Sequence, residues 1–218
     1  MARIAVIGLG RFGSHVAREA FRHGHEVLAI GIDAANVQQL RDESSRAVVA
    51  DARDRERLVA LRLGEDYDAV VVSLGENVEA SALIVLHLRE LGARRIIAKA
   101  GSADHGKLLA LIGAHEVVFP EMESAHRLAM RLSSRSLVEY LPLGDEHGVE
   151  ELAAPAPFVG QRLDELRLPA RFGAQVVAVR DRRSGRLTVS PGADYVVAPD
   201  DLLVVLATNA DLRRLQAL

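Results

Sequence analysis

The chain has 218 residues, which at about 150 residues per domain corresponds to one large domain or two small ones. Apolar residues make up 49% and charged residues 26%, as in a soluble globular protein, and no apolar run approaches the ~20 residues that span a bilayer. The absence of cysteine excludes disulfides and thiolate chemistry, and a net charge of −3 argues against a nucleic-acid-binding face. We therefore predict a cytoplasmic protein without a signal peptide.

The first 120 residues alternate short β-branched runs with amphipathic stretches. Strands are predicted over 3–7, 26–32, 47–50, 69–73, 95–98 and 116–119, with helices between them. The strands are apolar throughout, which is typical of a parallel sheet covered on both faces. This alternation predicts an α/β fold with a Rossmann-like, doubly wound parallel sheet.

Pro120 ends this pattern. A helix is predicted over 122–132, with Met122, Ala125, Ala129 and Leu132 on one stripe that needs a cover. A polar break at 133–136 is the candidate boundary. The rest is predicted as an α+β unit with strands over 138–143, 175–179 and 201–207, a helix over 161–168 and a last helix capped by Asn209. The predicted organisation is a nucleotide-binding domain over 1–120, a crossover helix and hinge over 121–136, and a smaller subdomain over 137–218.

The glycine-rich turn after the first strand carries the chemistry. Gly8-Leu9-Gly10-Arg11-Phe12-Gly13 has the spacing G-x-G-x-x-G between a predicted strand and a predicted helix. The first glycine allows the tight turn, the second lets the backbone approach a pyrophosphate, and the third lets the helix pack on the strand. The motif predicts a nucleotide whose phosphates meet the helix N-terminus. The alternative is a tight turn without a ligand.

Two acidic residues follow at strand ends. Asp33 lies twenty residues after Gly13, where this fold places an acid that binds ribose hydroxyls, although it is also suited to cap the next helix. Asp51 follows the third strand, at the edge where an adenine would lie, and it is equally compatible with a cap or a solvated loop acid.

Arg11 distinguishes between classes of ligand. A guanidinium inside the glycine loop adds a full charge and a fork of donors, which are worth most against a terminal phosphate. This favours ATP or ADP, bound in the same chain or presented by a neighbouring subunit. The alternative is a solvated surface arginine.

No catalytic group accompanies the predicted nucleotide. No strand end carries the proton donor that hydride transfer to a carbonyl needs, and the eight histidines show no metal-ligand spacing. We therefore predict a sensor and not an enzyme. A small NAD(P)-dependent oxidoreductase is the alternative.

Long segments resemble the RCK domains, the regulators of K⁺ conductance in Ktr- and Trk-type potassium uptake systems. They are "IAVIGLGRFGSHVAREAFRHGHEVLAI", "VVADARD", "VVVSLGENVEASALIVLHLRELG", "RIIAKA", "GAHEVVFPE" and "FVGQRLDELRLPARFGAQVVAVRD". The resemblance implies a regulatory subunit in which ATP and ADP, or NAD(H), compete for the Rossmann site. It extends the cofactor-binding set to Ile32, Ala52, Ser73, Gly75 and Lys99.

The resemblance also implies partners. Homodimers would assemble into an octameric ring on the inner face of a membrane-embedded K⁺-translocating subunit (KtrB/TrkH-type), with the crossover helix covering the partner subunit. Arg11 would meet the γ-phosphate, and Glu121 would hold a cation at the dimer interface.

Two positions depart from the family pattern. Gly31 stands where relatives usually have the ribose-binding aspartate, so Asp33, on the same face of the strand, would substitute. Some relatives bind cyclic di-AMP between C-terminal subdomains, and here Pro169 replaces an arginine of that site, flanked by Arg167 and Arg171.

Overall fold

The computed structural model describes residues 1–75, 77–133, 137–144 and 146–218. Contacts divide the chain into two compact units, Met1–Met122 and Glu123–Leu218. Of the polar break expected at 133–136, residues 134–136 lie outside the described ranges. No helix in the described part combines the length and apolar character needed to cross a bilayer.

The first unit contains a six-stranded parallel sheet. Its strands are β1 (Arg3–Ile7), β2 (Glu26–Gly31), β3 (Arg46–Val49), β4 (Ala69–Val72), β5 (Ile96–Lys99) and β6 (Glu116–Val118). They lie in the order β3-β2-β1-β4-β5-β6, and every neighbouring pair is parallel. This is the strand order of the Rossmann fold. The predicted fold class is confirmed.

The helices of this unit connect successive strands. They are α1 (Arg11–Arg22), α2 (Ala34–Gln39), α3 (Arg55–Ala60), α4 (Val78–Glu90) and α5 (Ala103–Ile112). Helix α6 (Pro120–Ser133) follows β6 and spans the boundary between the two units. Four of them begin at side-chain caps, which accept backbone N–H groups that the helix leaves unpaired: Asp33, Asp54, Asn77 and Ser102. The exposed residues on α6 include Met122, Leu128 and Leu132.

The sheet is buried on both faces. Ala5 and Ile7 of β1 belong to one apolar cluster, whereas Val6, between them, belongs to another on the opposite face. Alternate side chains of a strand point to opposite faces, so both faces need apolar residues. This explains the unbroken apolar runs in the sequence and fixes the carboxyl ends of the strands at one edge.

The second unit is an antiparallel sheet with short helices. Its strands are β7 (Leu137–Leu143), β8 (His147–Ala153), β9 (Gln175–Asp181), β10 (Leu187–Val189) and β11 (Asp201–Thr208), in the order β10-β9-β11-β8-β7. Its helices are α7 (Leu163–Leu166), α8 (Leu168–Phe172) and α9 (Asn209–Gln216), with a 3-10 turn at Ala156–Phe158. The α+β class predicted for this part is confirmed.

Two local predictions for this unit are wrong, and one strand was not predicted. The helix expected over 161–168 is two short helices, separated by Arg167 in the left-handed conformation with φ of 49°. The last helix is capped by Thr208, whose Oγ1 accepts from the Asp211 backbone N–H at 3.2 Å, and Asn209 is its first residue. Strand β8 was not predicted, because its buried face carries the acid Glu150.

Candidate functional site

The three glycines of the turn after β1 differ in what surrounds the position of a Cβ atom. Gly8 has a φ of +92°, and a Cβ there would lie 2.1 Å from the Ser73 carbonyl oxygen. A Cβ on Gly13 would lie 1.9 Å from the Gly8 carbonyl oxygen, so the start of α1 packs directly on the turn. Apart from its neighbours in the chain, Gly10 has no described atom within 4 Å of its Cβ position. No packing within the described chain requires glycine at Gly10, and the open space in front of it is suited to a ligand.

Gly10 is also the N-cap of α1 and provides no side-chain acceptor for the first helical N–H groups. The first turn contains no acidic residue. Unpaired N–H groups and the positive end of the helix dipole therefore face the open space. Such an end is suited to phosphate.

A cleft of about 400 Å³ opens at the carboxyl ends of β1, β2, β3 and β4. The predicted site residues that line it are Gly8, Leu9, Gly10, Ile32, Asp33, Asp51, Ala52, Ser73 and Gly75. Four others are outside the lining: Arg11, Phe12, Gly13 and Lys99. Ligands of open α/β sheets bind at this edge of the sheet, beside the first crossover.

Asp33 lines the cleft and caps α2. Its Oδ1 accepts from the backbone N–H groups of Ala35 (2.7 Å) and Asn36 (3.2 Å). No hydrogen bond to Oδ2 occurs among the described residues, so the cap leaves this oxygen able to accept a ribose hydroxyl.

Gly31 leaves little room for the aspartate that relatives usually carry there. A Cβ at this position would lie 3.2 Å from two atoms of the Leu9 side chain and 3.3 Å from Val37. A larger side chain would have to displace this packing. The carboxylate that the cleft offers at the end of β2 is therefore that of Asp33.

Asp51 is held by Arg53, a lining residue that the sequence analysis missed. The Arg53 guanidinium donates to both Asp51 oxygens, at 2.6–3.1 Å, and its backbone N–H donates to Oδ1 at 3.0 Å. These bonds lower the pKa of Asp51. Arg53 stands within the quoted segment "VVADARD", but nothing in the sequence shows that its side chain turns back onto the acid two residues earlier.

The turn after β4 forms the other wall. The Ser73 backbone N–H donates to the Ile7 carbonyl at 2.8 Å and Gly75 has a φ of +64°. Asn77 also lines the cleft, and its Oδ1 accepts from the Ala80 backbone N–H at 3.0 Å as the cap of α4. Asn77 was not predicted, and Asn36 on α2 is a further missed lining residue.

Lys99 and Glu121 are brought together at the end of β5. Lys99 Nζ donates to Glu121 Oε1 at 2.5 Å and lies 5.9 Å from the centroid of the Phe12 ring. The hydrogen bond from Lys99 lowers the pKa of Glu121. No group of three or more potential metal-ligating side chains occurs in the described ranges. A cation at Glu121 would need further ligands from a nucleotide or a partner subunit.

Arg11 is exposed at the first position of α1. It makes no ion pair or hydrogen bond with another described residue. Its charge is therefore uncompensated within the described chain, at the helix end that faces the open space beside Gly10.

The second unit has a smaller cleft of about 270 Å³. Its lining includes Asp164, Arg167, Pro169 and Gln175. Arg171 is outside this lining, and its NH1 donates to the Leu166 carbonyl at 3.3 Å. Of the two arginines beside Pro169, Arg167 faces the cleft.

The parallel sheet order, the glycine turn and the cleft define a Rossmann-type nucleotide-binding domain joined to a small α+β unit. The TrkA-N domain family matches residues 4–120, and the TrkA-C domain family matches residues 149–218. The chain belongs to this RCK-domain family of Ktr- and Trk-type potassium uptake proteins.

Curated relatives agree over nearly the whole length. Ktr system potassium uptake protein C of Bacillus subtilis (strain 168) is 37% identical over 212 residues, covering 97% of this chain and 95% of the relative. Ktr system potassium uptake protein A of the same organism is 32% identical, covering 98% and 95%.

Solved structures support the fold. The GsuK RCK domain has a TM-score of 0.67 at 24% identity, and the match covers all of this chain and 47% of that one. The NAD(P)-binding domain of an exopolyphosphatase-related protein from Archaeoglobus fulgidus has a TM-score of 0.54 at 25% identity, covering 61% of this chain and 98% of that one.

Proposed function

We propose that the cleft binds an adenine nucleotide and that the protein is a nucleotide-sensing regulatory subunit of a membrane K⁺ uptake system. The observation that carries the binding is Gly10, which stands in open space at the uncapped start of α1. The relatives named as Ktr potassium uptake proteins, matched over nearly their full length, support the role in transport.

We assign the parts of the nucleotide from the strand order. The phosphates meet the turn after β1, the ribose meets Asp33 after β2, and the base lies towards Asp51 and Arg53 after β3. Lys99, after β5, lies on the opposite side of the glycine turn, where it can receive the end of a phosphate chain.

Arg11 supplies discrimination between ATP and ADP. The two ligands differ only in the γ-phosphate, so only contacts to that group can shift the protein between two states. The exposed guanidinium provides such a contact, in its own subunit or in a partner. Converting a 1:99 mixture of states to 99:1 takes about 5.5 kcal/mol, which several equivalent sites contributing ~1–3 kcal/mol each would supply.

NAD(H) is the competing ligand, supported by the likeness to the NAD(P)-binding domain from Archaeoglobus fulgidus. We assign binding without catalysis. None of the described residues that line the cleft is a His, Lys or Tyr that would exchange a proton with a carbonyl substrate. This weighs against the small oxidoreductase.

The exposed apolar residues of α6 support assembly. Met122 is 55% exposed and Leu132 is 78% exposed, which is costly unless another surface covers them. We assign this surface to a homodimer that builds an octameric ring on the cytoplasmic face of the membrane-embedded K⁺-translocating subunit. Glu121, at the start of α6, would hold the interface cation with the help of the partner subunit, and the cleft at Pro169 is the candidate site for cyclic di-AMP.

The direct test is calorimetry of the full chain with ATP, ADP, NAD⁺ and NADH. A second assay measures the oxidation of NADH in the presence of carbonyl substrates. Binding of ATP and ADP in competition, without turnover, is expected. Failure of any adenine nucleotide to bind would refute the proposed function, and turnover at ordinary enzyme rates would establish the oxidoreductase instead.

A further inference from the structure

Arg53 is a cationic side chain fixed in the wall of the cleft. Its side chain is 56% exposed, yet three side-chain contacts and one backbone hydrogen bond tie the residue to Asp51. A bidentate arginine–carboxylate pair holds the planar group in one orientation. The cleft therefore presents a pre-oriented guanidinium beside Asp51.

The same contacts occupy both oxygens of Asp51. Oδ1 accepts from the backbone N–H and from Nε of Arg53, both at 3.0 Å, and Oδ2 accepts from Nε at 3.1 Å and from NH2 at 2.6 Å. A carboxylate offers about four lone-pair sites. The single Nε–H is shared between the two oxygens, so three N–H groups of Arg53 meet these sites, and the amino group of an adenine would find a carboxylate that is already largely engaged.

The position of Arg53 separates it from the phosphates. β3 lies two strands from β1 in the sheet, which at strand spacing is about 10 Å. Its end of the cleft also contains Ile32, an apolar side chain that is 71% exposed. A flat apolar ring with polar edges fits this end better than a second phosphate does.

We propose that Arg53, and not Asp51, reads the nucleotide base, so that the site accepts purines without selecting the 6-amino group. This inference rests on the proposed function. A carboxylate acceptor would favour adenine and repel the 6-oxo group of hypoxanthine or guanine. A guanidinium is a donor, so it can bind N7, the acceptor that adenine and a 6-oxopurine share, and it does not repel O6.

The test compares ADP with IDP, which has a 6-oxo group and an N1–H donor where ADP has a 6-amino group and an N1 acceptor. In the wild-type full chain the two dissociation constants are expected to agree within about threefold. Arg53→Ala frees the Asp51 carboxylate, which would then face the 6-oxo group, and the preference for ADP should rise by about tenfold, the cost of an unpaired acceptor. Arg55→Ala is the matched control, because Arg55 is a neighbouring exposed arginine outside the cleft lining.

Asp51→Asn gives a second, independent readout. Because it removes the anchor of Arg53, it should weaken ADP and IDP by the same factor. A selective loss of ADP affinity would show that Asp51 reads the amino group and would overturn the inference. A wild-type preference for ADP above tenfold would also overturn the inference. The same holds for an ADP/IDP ratio that is equal in Arg53→Ala and in wild type. If wild-type protein binds neither ligand, the proposed function itself fails.

Discussion

Lys99 and Glu121 form an ion pair with an Nζ–Oε1 distance of 2.5 Å that joins the end of β5 to the first turn of α6. The two side chains differ in exposure, 12% for Lys99 and 68% for Glu121. The half of the pair beside Phe12 is therefore shielded, and the half on α6 is open to solvent. In the proposed function, a phosphate that reaches Lys99 competes with Glu121, and α6 loses a tether.

Glu121→Gln should raise the affinity for ATP several-fold, because a neutral amide competes poorly with phosphate for the ammonium group. Lys99→Met should lower it. Calorimetry with ATP checks both, with Glu116→Gln as the control, since Glu116 pairs with Arg95 at 2.5 Å at the edge of the sheet. A lower ATP affinity in Glu121→Gln would contradict the competition and would instead indicate a nucleotide-linked cation on Glu121.

Gly10→Ala and Gly13→Ala should separate binding from folding. The Cβ of Gly10→Ala enters open space at φ −74°, so stability should change by less than about 1 kcal/mol while nucleotide affinity falls by at least tenfold. The Cβ of Gly13→Ala would overlap the Gly8 carbonyl and should lower the melting temperature strongly. Thermal unfolding measures the stability of both variants, and ADP titration measures their affinity. Unaltered ADP binding by Gly10→Ala would show that the phosphates do not bind at this turn.

Asp33→Asn should retain the cap of α2 and weaken nucleotide binding. The amide oxygen can still accept from Ala35 and Asn36, whereas the amide nitrogen cannot accept a ribose hydroxyl. We expect about tenfold lower ADP affinity at nearly unchanged stability. Asp33→Ala should lose the cap as well, at about 1 kcal/mol. Equal ADP affinities of wild type and Asp33→Asn would show that Asp33 is a cap alone.

Glu150 makes the stability of the second unit depend on pH. It is 2% exposed and accepts from Gln216 Nε2 at 2.8 Å, and burial raises its pKa. Because the folded pKa lies above the unfolded one, the folded chain binds more protons. The stabilisation is full below the unfolded value and is lost as pH rises through the folded value. Glu150→Gln should reduce the dependence of the melting temperature on pH above 4.5, the ordinary pKa of a glutamate. A dependence equal to that of wild type would exclude Glu150 as its cause.

The sequence was sufficient to predict the parallel sheet, because a strand buried on both faces must be apolar at every position. It did not predict β8, where the buried Glu150 interrupts the apolar pattern and its partner Gln216 lies 66 residues away. The glycine turn and Asp33 were predictable from spacing. The fold of Arg53 back onto Asp51 was not, since it depends on a loop conformation that no periodic pattern encodes.

Arg11 is the residue that we propose distinguishes ATP from ADP. The most direct measurement is the ratio of the ATP and ADP dissociation constants in wild type and Arg11→Ala, with Arg22→Ala as the control at the far end of α1, where Arg22 pairs with Glu19. We expect Arg11→Ala to move the ratio towards one, with the remaining preference for ATP due to Lys99, while ADP affinity is retained, and we expect Arg22→Ala to leave the ratio as in wild type. If the ratio in Arg11→Ala equals the wild-type ratio, Arg11 does not distinguish the two nucleotides.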